Sequence, residues 1–239
     1  MPLSIPKAET RNRLIRLMSE ADHALLAPHM SRQRVSKCQV LLDRDQSADL
    51  VWFPESGVSS LITISPAGLS AENGLFGRDG FVPVPLVLGS NRGPQRAVVQ
   101  VAGECQTVPV PEFLRAIAAS PDLHHLLLRY TQTLRIQTAF TALSNAVHHI
   151  DERLARWLLM THDRLDGTEL PLTHEFLSTV LGVRRPSVTT ALHVLEGKGF
   201  IRSERGCIII RDRAALEQFA RDSYGVPEAE YERLIGPLR

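Results

Sequence analysis

Histidine is missing from the first half of the chain's interior: nine are present, and none lies between His29 and His124. A stretch that long without an imidazole leaves whatever it folds into without the usual ligands for zinc, iron or haem. Cysteine is scarce too. Cys38, Cys105 and Cys207 are odd in number, and their spacing matches neither a disulfide framework nor a zinc or iron-sulfur ligand set, which fits a reducing compartment. No apolar run approaches the roughly 18 residues needed to span a membrane, and MPLSIPKAETRNRL lacks the apolar core of a signal peptide. The expectation is a cytoplasmic protein with no membrane partner. Gly-x-Ser-x-Gly, a Walker loop and His-Glu-x-x-His are all absent, so no catalytic constellation is legible and no enzyme is expected.

What is present is ordinary globular material. Apolar residues make up 44% and charged residues 22% of 239 residues, enough chain for two modest domains with cores of their own. The net charge of +1 is uninformative, but Arg184 to Arg213 holds seven basic residues against three acidic ones. That surplus marks a candidate for phosphate contact.

Residues 11 to 27 carry Leu14, Ile15, Leu17 or Met18, Ala21 and Leu25 at helical spacing, predicting one cap helix. From about Val35 to Val110 the runs VLL, LVWF, SSLITI, PLVL, AVVQV and CQTVPV alternate with Pro/Gly turns, the texture of a sandwich or jelly roll. Gly77-Arg78-Asp79-Gly80 reads as a turn only. PEFLRAIAASP predicts a helix closed by Pro121, followed by a long helix from Asp122 to about Asn145. In it Leu123, Leu127, Tyr130, Leu134, Gln137 and Thr141 form a partly apolar stripe, which suits packing on its own domain or a coiled contact with a second chain. A third helix, Val147 to Leu165, carries Ile150, Leu154, Trp157 and Leu158.

The most informative segment is LPLTHEFLSTVLGVRRPSVTTALHVLEGKGFIRSERGCIIIRDR, residues 170 to 213. Thr173 is placed to cap a short helix with Phe176, Leu177, Val180 and Leu181 on its buried side, and Gly182 ends it. Arg184 or Arg185 opens the next helix, where Pro186 is tolerated in the first turn. Val188, Ala191, Leu192 and Leu195 turn inward, leaving Arg185, Ser187, Thr189 and Thr190 outward. Two helices on such a turn make a helix-turn-helix whose second helix enters the major groove. An arginine there can donate twice to guanine, and the hydroxyls can reach phosphates or base edges. Gly197 and Gly199 close that helix. FIRSE and CIIIR about Arg205-Gly206 then read as a β-hairpin wing with Arg202, Arg205 and Arg211 available to the DNA backbone.

These residues resemble the Crp/Fnr family of transcription regulators, the resemblance running from LTHEFLSTVLGVRRPSVTTALHVLEGKGFI through RGCIIIRD. More faintly, FPESG at Phe53 to Gly57 resembles the strand and turn of the family's cyclic-nucleotide-binding-like β-roll, and the long helix takes the place of its dimerisation helix. The resemblance implies an α+β chain: a β-roll over 1–121, a dimerisation helix over 122–146, a winged helix-turn-helix over 147–213 and a helical tail over 214–239. It implies double-stranded DNA with a palindromic site as partner, a homodimer, and contact with RNA polymerase. Thr173, Arg184, Arg185, Ser187, Thr189, Thr190, Arg202 and Arg205 are the expected DNA-contacting residues, with Arg185 first for a guanine. Pro186 and Thr190 stand where the family more often has an acidic and a basic residue, and Arg184 where a capping serine is frequent. The usual target sequence is therefore not expected.

Cyclic-nucleotide binders of this family carry Gly-Glu for the ribose and Arg-Ser or Arg-Thr for the phosphate. Within residues 77 to 101 Val84 stands near the glutamate's place and Gln95-Arg96 near the arginine pair's. Arg96 is a weak candidate for an anion. Binding of cyclic AMP is not expected, no cofactor is assigned, and any small-molecule effector is unknown. The competing class is a metal- or redox-dependent sensor or enzyme on the jelly roll, with Cys38 and Cys105 as a pair if the fold joins them. His124-His125 and His148-His149 do not serve it, since neighbours on a helix point about 100° apart.

Overall fold

The computed structural model describes residues 5–238. Its N-terminal part opens on two helices where the spacing predicts one: α1 (Arg13–Leu17) and α2 (Glu20–Leu26). Ser19 separates them, its hydroxyl accepting from the Asp22 amide at 3.0 Å as an N-cap. Leu14, Ile15, Met18 and Leu26 are buried, whereas Leu17 and Leu25 face out.

The following strands form two antiparallel sheets. One is β1 (Ser31–Val35), β7 (Gly103–Pro109) and β3 (Leu50–Pro54), in the order β1-β7-β3. The other contains β2 (Val40–Leu42), β4 (Val58–Ile64), β5 (Ser70–Phe76) and β6 (Gln95–Val101), in the order β2-β6-β4-β5. Strands β1 and β5 escape the pattern reading because SRQRV buries only Val35 and SAENGLF contains the poor strand formers Glu72, Asn73 and Gly74. PLVL, expected as a strand, lies in a 3-10 turn over Val84–Leu88. Prolines 83 and 85 supply no N–H to a ladder, which explains the difference. Gly57 holds the turn after β3 at φ 80, and a Cβ there would lie 2.4 Å from the Val101 carbonyl. Phe53, Phe81, Phe113 and Tyr130 pack together in the core, with ring centres 5.4 to 6.4 Å apart and the Phe53 and Phe81 rings stacked.

Helix α3 (Val110–Ala119) leads into α4 (Pro121–Val147). Ser120 caps α4, and Pro121, expected as a stop, is also its first residue. The stripe Leu123, Leu127, Tyr130, Leu134 and Gln137 is buried on the β-domain. Gln137 brackets β5, accepting from Leu75 N at 2.7 Å and donating to Leu75 O at 3.1 Å. That stripe therefore takes the own-domain role. A second stripe, Ile136, Ala139, Leu143 and Ala146, spaced three or four residues apart, lies on the opposite side. Leu143 is 48% and neighbouring Val147 63% exposed, and Ala139 and Ala146 are exposed too. The hydroxyls of Thr131, Thr138 and Thr141 donate to carbonyls one turn earlier, at 2.9 to 3.0 Å.

The chain breaks at His148 before α5 (Ile150–His162), β8 (Glu169–Leu170), α6 (His174–Leu181), α7 (Arg185–Gly197), β9 (Ile201–Glu204), β10 (Cys207–Ile210) and α8 (Arg213–Ala220). The third helix thus starts and stops inside the expected 147–165, because His148 is extended and His149 caps the new helix through Glu152. Leu154, Leu158, Leu177, Leu192, Leu195, Ile208 and Leu216 form this part's core, joined by Val58 and Leu75 from the β-domain. In exchange α9 (Val226–Leu234) and the residues after it send Tyr231, Ile235 and Leu238 into the β-domain core. Among the described residues no helix is long and apolar enough to cross a membrane.

Candidate nucleic-acid interface

Local chemistry fixes α6 and α7. Thr173 Oγ1 accepts from Phe176 N at 3.3 Å to start α6, and Gly182 ends it in the left-handed region at φ 63. Arg153 of α5 donates to the Leu181 carbonyl at that end. Helix α7 has Arg184 at its N-cap without a side-chain cap bond, and Pro186 in its first turn. Val188, Ala191, Leu192 and Leu195 are buried as the spacing predicts. β10 pairs with β9 through Cys207↔Glu204 to Ile210↔Ile201, about the Arg205-Gly206 turn, and β8 adds a short third strand.

The eight expected contact residues fall into three groups. Arg184, Arg185 and Thr190 are exposed along one edge at the α7 N-terminus. Ser187 and Thr189 are half-buried. Thr189 is held inside the domain, its hydroxyl 3.3 Å from Arg185 O and 3.2 Å from His174 Nδ1, while Thr173 is spent on capping. Arg202 and Arg205 are exposed on the wing, Arg202 pairing with Glu204 at 3.0 Å.

Sequence reasoning overlooked two histidines. His174 also reaches Ser203 Oγ at 3.4 Å, so one ring ties α7 to the wing. His193 is exposed on α7, one turn after Thr190 on the same edge. The i, i+3 step from Thr190 was the available signal for His193; for His174, paired across 15 and 29 residues, there was none.

In the β-domain, Arg96 is taken by Asp43, with Nε–Oδ1 2.8 Å and Nη2–Oδ2 3.2 Å, and this hydrogen bonding holds the Asp43 carboxyl below its ordinary range. Val84 is buried. All three cysteines are free; Cys38 is exposed, and burial pushes the inner Cys105 thiol up to about 12. His124 bonds the Val87 carbonyl at 2.9 Å and His148 pairs with Asp222 at 3.0 Å. Among the described residues no three His, Cys, Asp or Glu side chains are grouped to hold a metal.

Residues 152–219 match the Crp-like helix-turn-helix domain. The C-terminal unit is therefore a Crp-like helix-turn-helix domain. Solved structures of similar fold include a Eubacterium rectale protein assigned to the Crp/Fnr family, at 18% identity and TM-score 0.67 over 87% of this chain and 97% of that one. A CRP-family transcriptional regulator of Thermus thermophilus follows at 18% and 0.65, over 79% and 96% of the chains. FixK2 of Bradyrhizobium japonicum stands at 18% and 0.66, over 80% and 96%. No curated protein matches the sequence.

The helix-turn-helix unit sits against the β-domain through buried polar contacts. Arg164 grips Asp79 twice, Nε–Oδ1 at 3.0 Å and Nη2–Oδ2 at 2.6 Å, with both side chains 3% exposed. Trp157 Nε1 donates to Glu72 at 2.8 Å, and Ser60 also donates to that carboxyl. The Gly77–Gly80 turn is thus more than a turn: Asp79 accepts from Gly77 N and Arg164, and Arg78 pairs with Asp166 at 2.7 Å.

Proposed function

We propose that two copies of this regulator associate along the second stripe of α4 and bind a two-fold symmetric DNA site. Ile136, Ala139, Leu143 and Ala146 have the seam spacing of a coiled contact, and their small alanines let two helices approach closely. Each α7 then enters one of two major grooves about one helical turn apart. Arg185 is the residue that reads guanine, with Arg184 and Thr190 beside it; Ser187, Thr189 and Thr173 shape the edge rather than lead the contact. Arg202 and Arg205 on the wing supply salt-dependent backbone affinity. The observation that carries the reading is the pairing of an exposed arginine edge on α7 with an apolar seam on α4 whose Ala139, Leu143 and Ala146 are exposed and whose Ile136 is half-buried.

Cyclic AMP is not the effector of this reading. The ribose-binding acid is replaced by buried Val84 between prolines, and Arg96 is engaged by Asp43. A dimer so placed acts on RNA polymerase by recruiting or occluding it according to where its site lies, and no catalytic step is assigned to it. Selection from a random DNA pool by the purified protein, with sedimentation to give its mass, tests the proposal. The expected result is a dimer that enriches a palindrome without added ligand; a monomer at micromolar concentration that enriches nothing would reject it.

A further inference from the structure

The segment beyond α8 is the part of the molecule to which neither the fold nor the proposed function gives a task. It leaves the DNA-binding unit, crosses α4 and ends on the β-domain, and it is fastened at each stage. At the start, Tyr224 Oη donates to Asp163 at 2.8 Å, Arg213 donates to the same carboxyl at 2.7 Å, and Asp222 meets His148 at the break between α4 and α5. In the middle, Glu228 accepts from Gly225 N at 2.8 Å and lies half-buried near Arg156; desolvation pushes its carboxyl up while Arg156 draws it down. At the end, Tyr231 Oη donates to the Asp79 carbonyl at 2.7 Å. Arg13 of α1 donates to the Pro237 and Leu238 carbonyls, and Ile235 and Leu238 are 9% and 5% exposed.

Asp79 is therefore held on two sides. Its carboxylate takes Arg164 of the DNA-binding unit, and its carbonyl takes Tyr231 of the tail. Tyr130, Gln137, Arg164, Glu228 and Tyr231 line a cavity of about 10 Å³ here, room for roughly one water, so the three parts meet with almost no slack. Without the tail, the DNA-binding unit would join the β-domain through the single break at His148 and through one side of itself. A body fastened on one side turns about its hinge; fastened on both, it keeps one setting.

We propose that residues 226–238 and Asp79 form one clamp that positions the DNA-binding unit on the β-domain and so fixes the half-site spacing the protein accepts. Asp79 and Tyr231 are positioning residues that touch no DNA. The clamp stands on the contacts above; its consequence for spacing rests on the dimeric reading in the preceding section.

The test is hydrogen–deuterium exchange of the full chain without DNA, beside an Ile235→Asp/Leu238→Asp double variant and Tyr231→Phe, followed by selection from a library of paired half-sites at varied separation. In the double variant, amides over 77–81 and 150–165 are expected to exchange at least about tenfold faster, with β6 and β7 unchanged, because opening costs less once one fastening is gone. Accepted spacings should widen from one to several. Tyr231→Phe, which removes one hydrogen bond and little volume, should speed exchange over 77–81 by about threefold. If 226–238 loses protection while 150–165 stays within about twofold of the parent, the tail only covers the β-domain and the clamp is overturned. Should the double variant unfold the β-domain as well, an unchanged Tyr231→Phe profile overturns it equally. Faster exchange with unaltered spacing removes the role in DNA selection. No enrichment even by the parent chain is a failure of the dimeric reading, and exchange then decides the clamp by itself.

Discussion

Two sets of charged groups in this molecule are spent in opposite ways. One set, in the β-domain and at its junction, is consumed internally: Asp43 by Arg96, Glu72 by Ser60 and Trp157, Asp79 by Arg164. On α7 the side chains of Arg184 and Arg185 have no protein partner among the described residues and stand in solvent. Glu72, Asp79 and Arg164 are buried, where a charge is expensive unless paired, so these groups maintain shape. An exposed, unpaired guanidinium costs the fold little and keeps its donors for something outside it. The contrast separates the charges that hold the helix-turn-helix in place from those it leaves free to meet a partner.

Breaking the buried set should show the largest effect. Asp79→Ala leaves Arg164 buried without its carboxylate and is expected to cost about 3–5 kcal/mol in urea unfolding; a loss under about 1 kcal/mol would mean water reaches the pair freely. Glu72 comes next. Burial pushes its carboxyl from 4.5 to about 7, against the pull of Ser60 and Trp157. The folded chain then keeps a proton that the unfolded chain releases, so stability falls as pH rises from about 4.5 to about 7 and levels off above. The change is on the order of 3 kcal/mol, and Glu72→Gln should flatten it in melting curves taken across that window.

Changes on the reading edge leave the fold alone. Arg185→Ala should weaken the selected site by about 1–3 kcal/mol and relax one base pair; equal weakening on every sequence in a binding titration would reassign Arg185 to phosphate. The smallest effect belongs to Arg96→Ala, whose pair with Asp43 is about one-third exposed on each side. A stability change below about 1 kcal/mol is expected, with no shift in melting on adding cyclic AMP to either protein. A large cyclic AMP shift lost in the variant would restore Arg96 as a phosphate ligand.

The DNA-binding unit was the more legible half because its signals are local. A cap at Thr173, a left-handed glycine at Gly182, a proline in the first turn of α7 and four inward apolar residues all lie within 23 positions. The β-domain gave its class but not all its strands, since β1 and β5 are recognised by what they pair with and not by their own composition. Helix α4 misled differently: both of its stripes have helical spacing, and only the packed structure shows which faces β5. The junction was opaque. Asp79 and Arg164 are 85 residues apart and Asp79 and Tyr231 152 apart, so no window of sequence contains the pairing, and His174 is hidden for the same reason. What could be read at Arg184 and Arg185 was their availability, while Thr189 looked equally available until its hydroxyl was seen engaged.

The threonines of α4 carry a mechanical consequence. Each of Thr131, Thr138 and Thr141 turns its hydroxyl onto a carbonyl of the preceding turn, a bond of the kind that competes with a helix's own ladder and lowers its stiffness. A shaft with three such bonds within one short stretch is a poor design for a pushrod between the β-domain and the break beyond Val147. In such a machine stiffness comes from triangulation, and the return strand of chain from α8 to α1 supplies the third side.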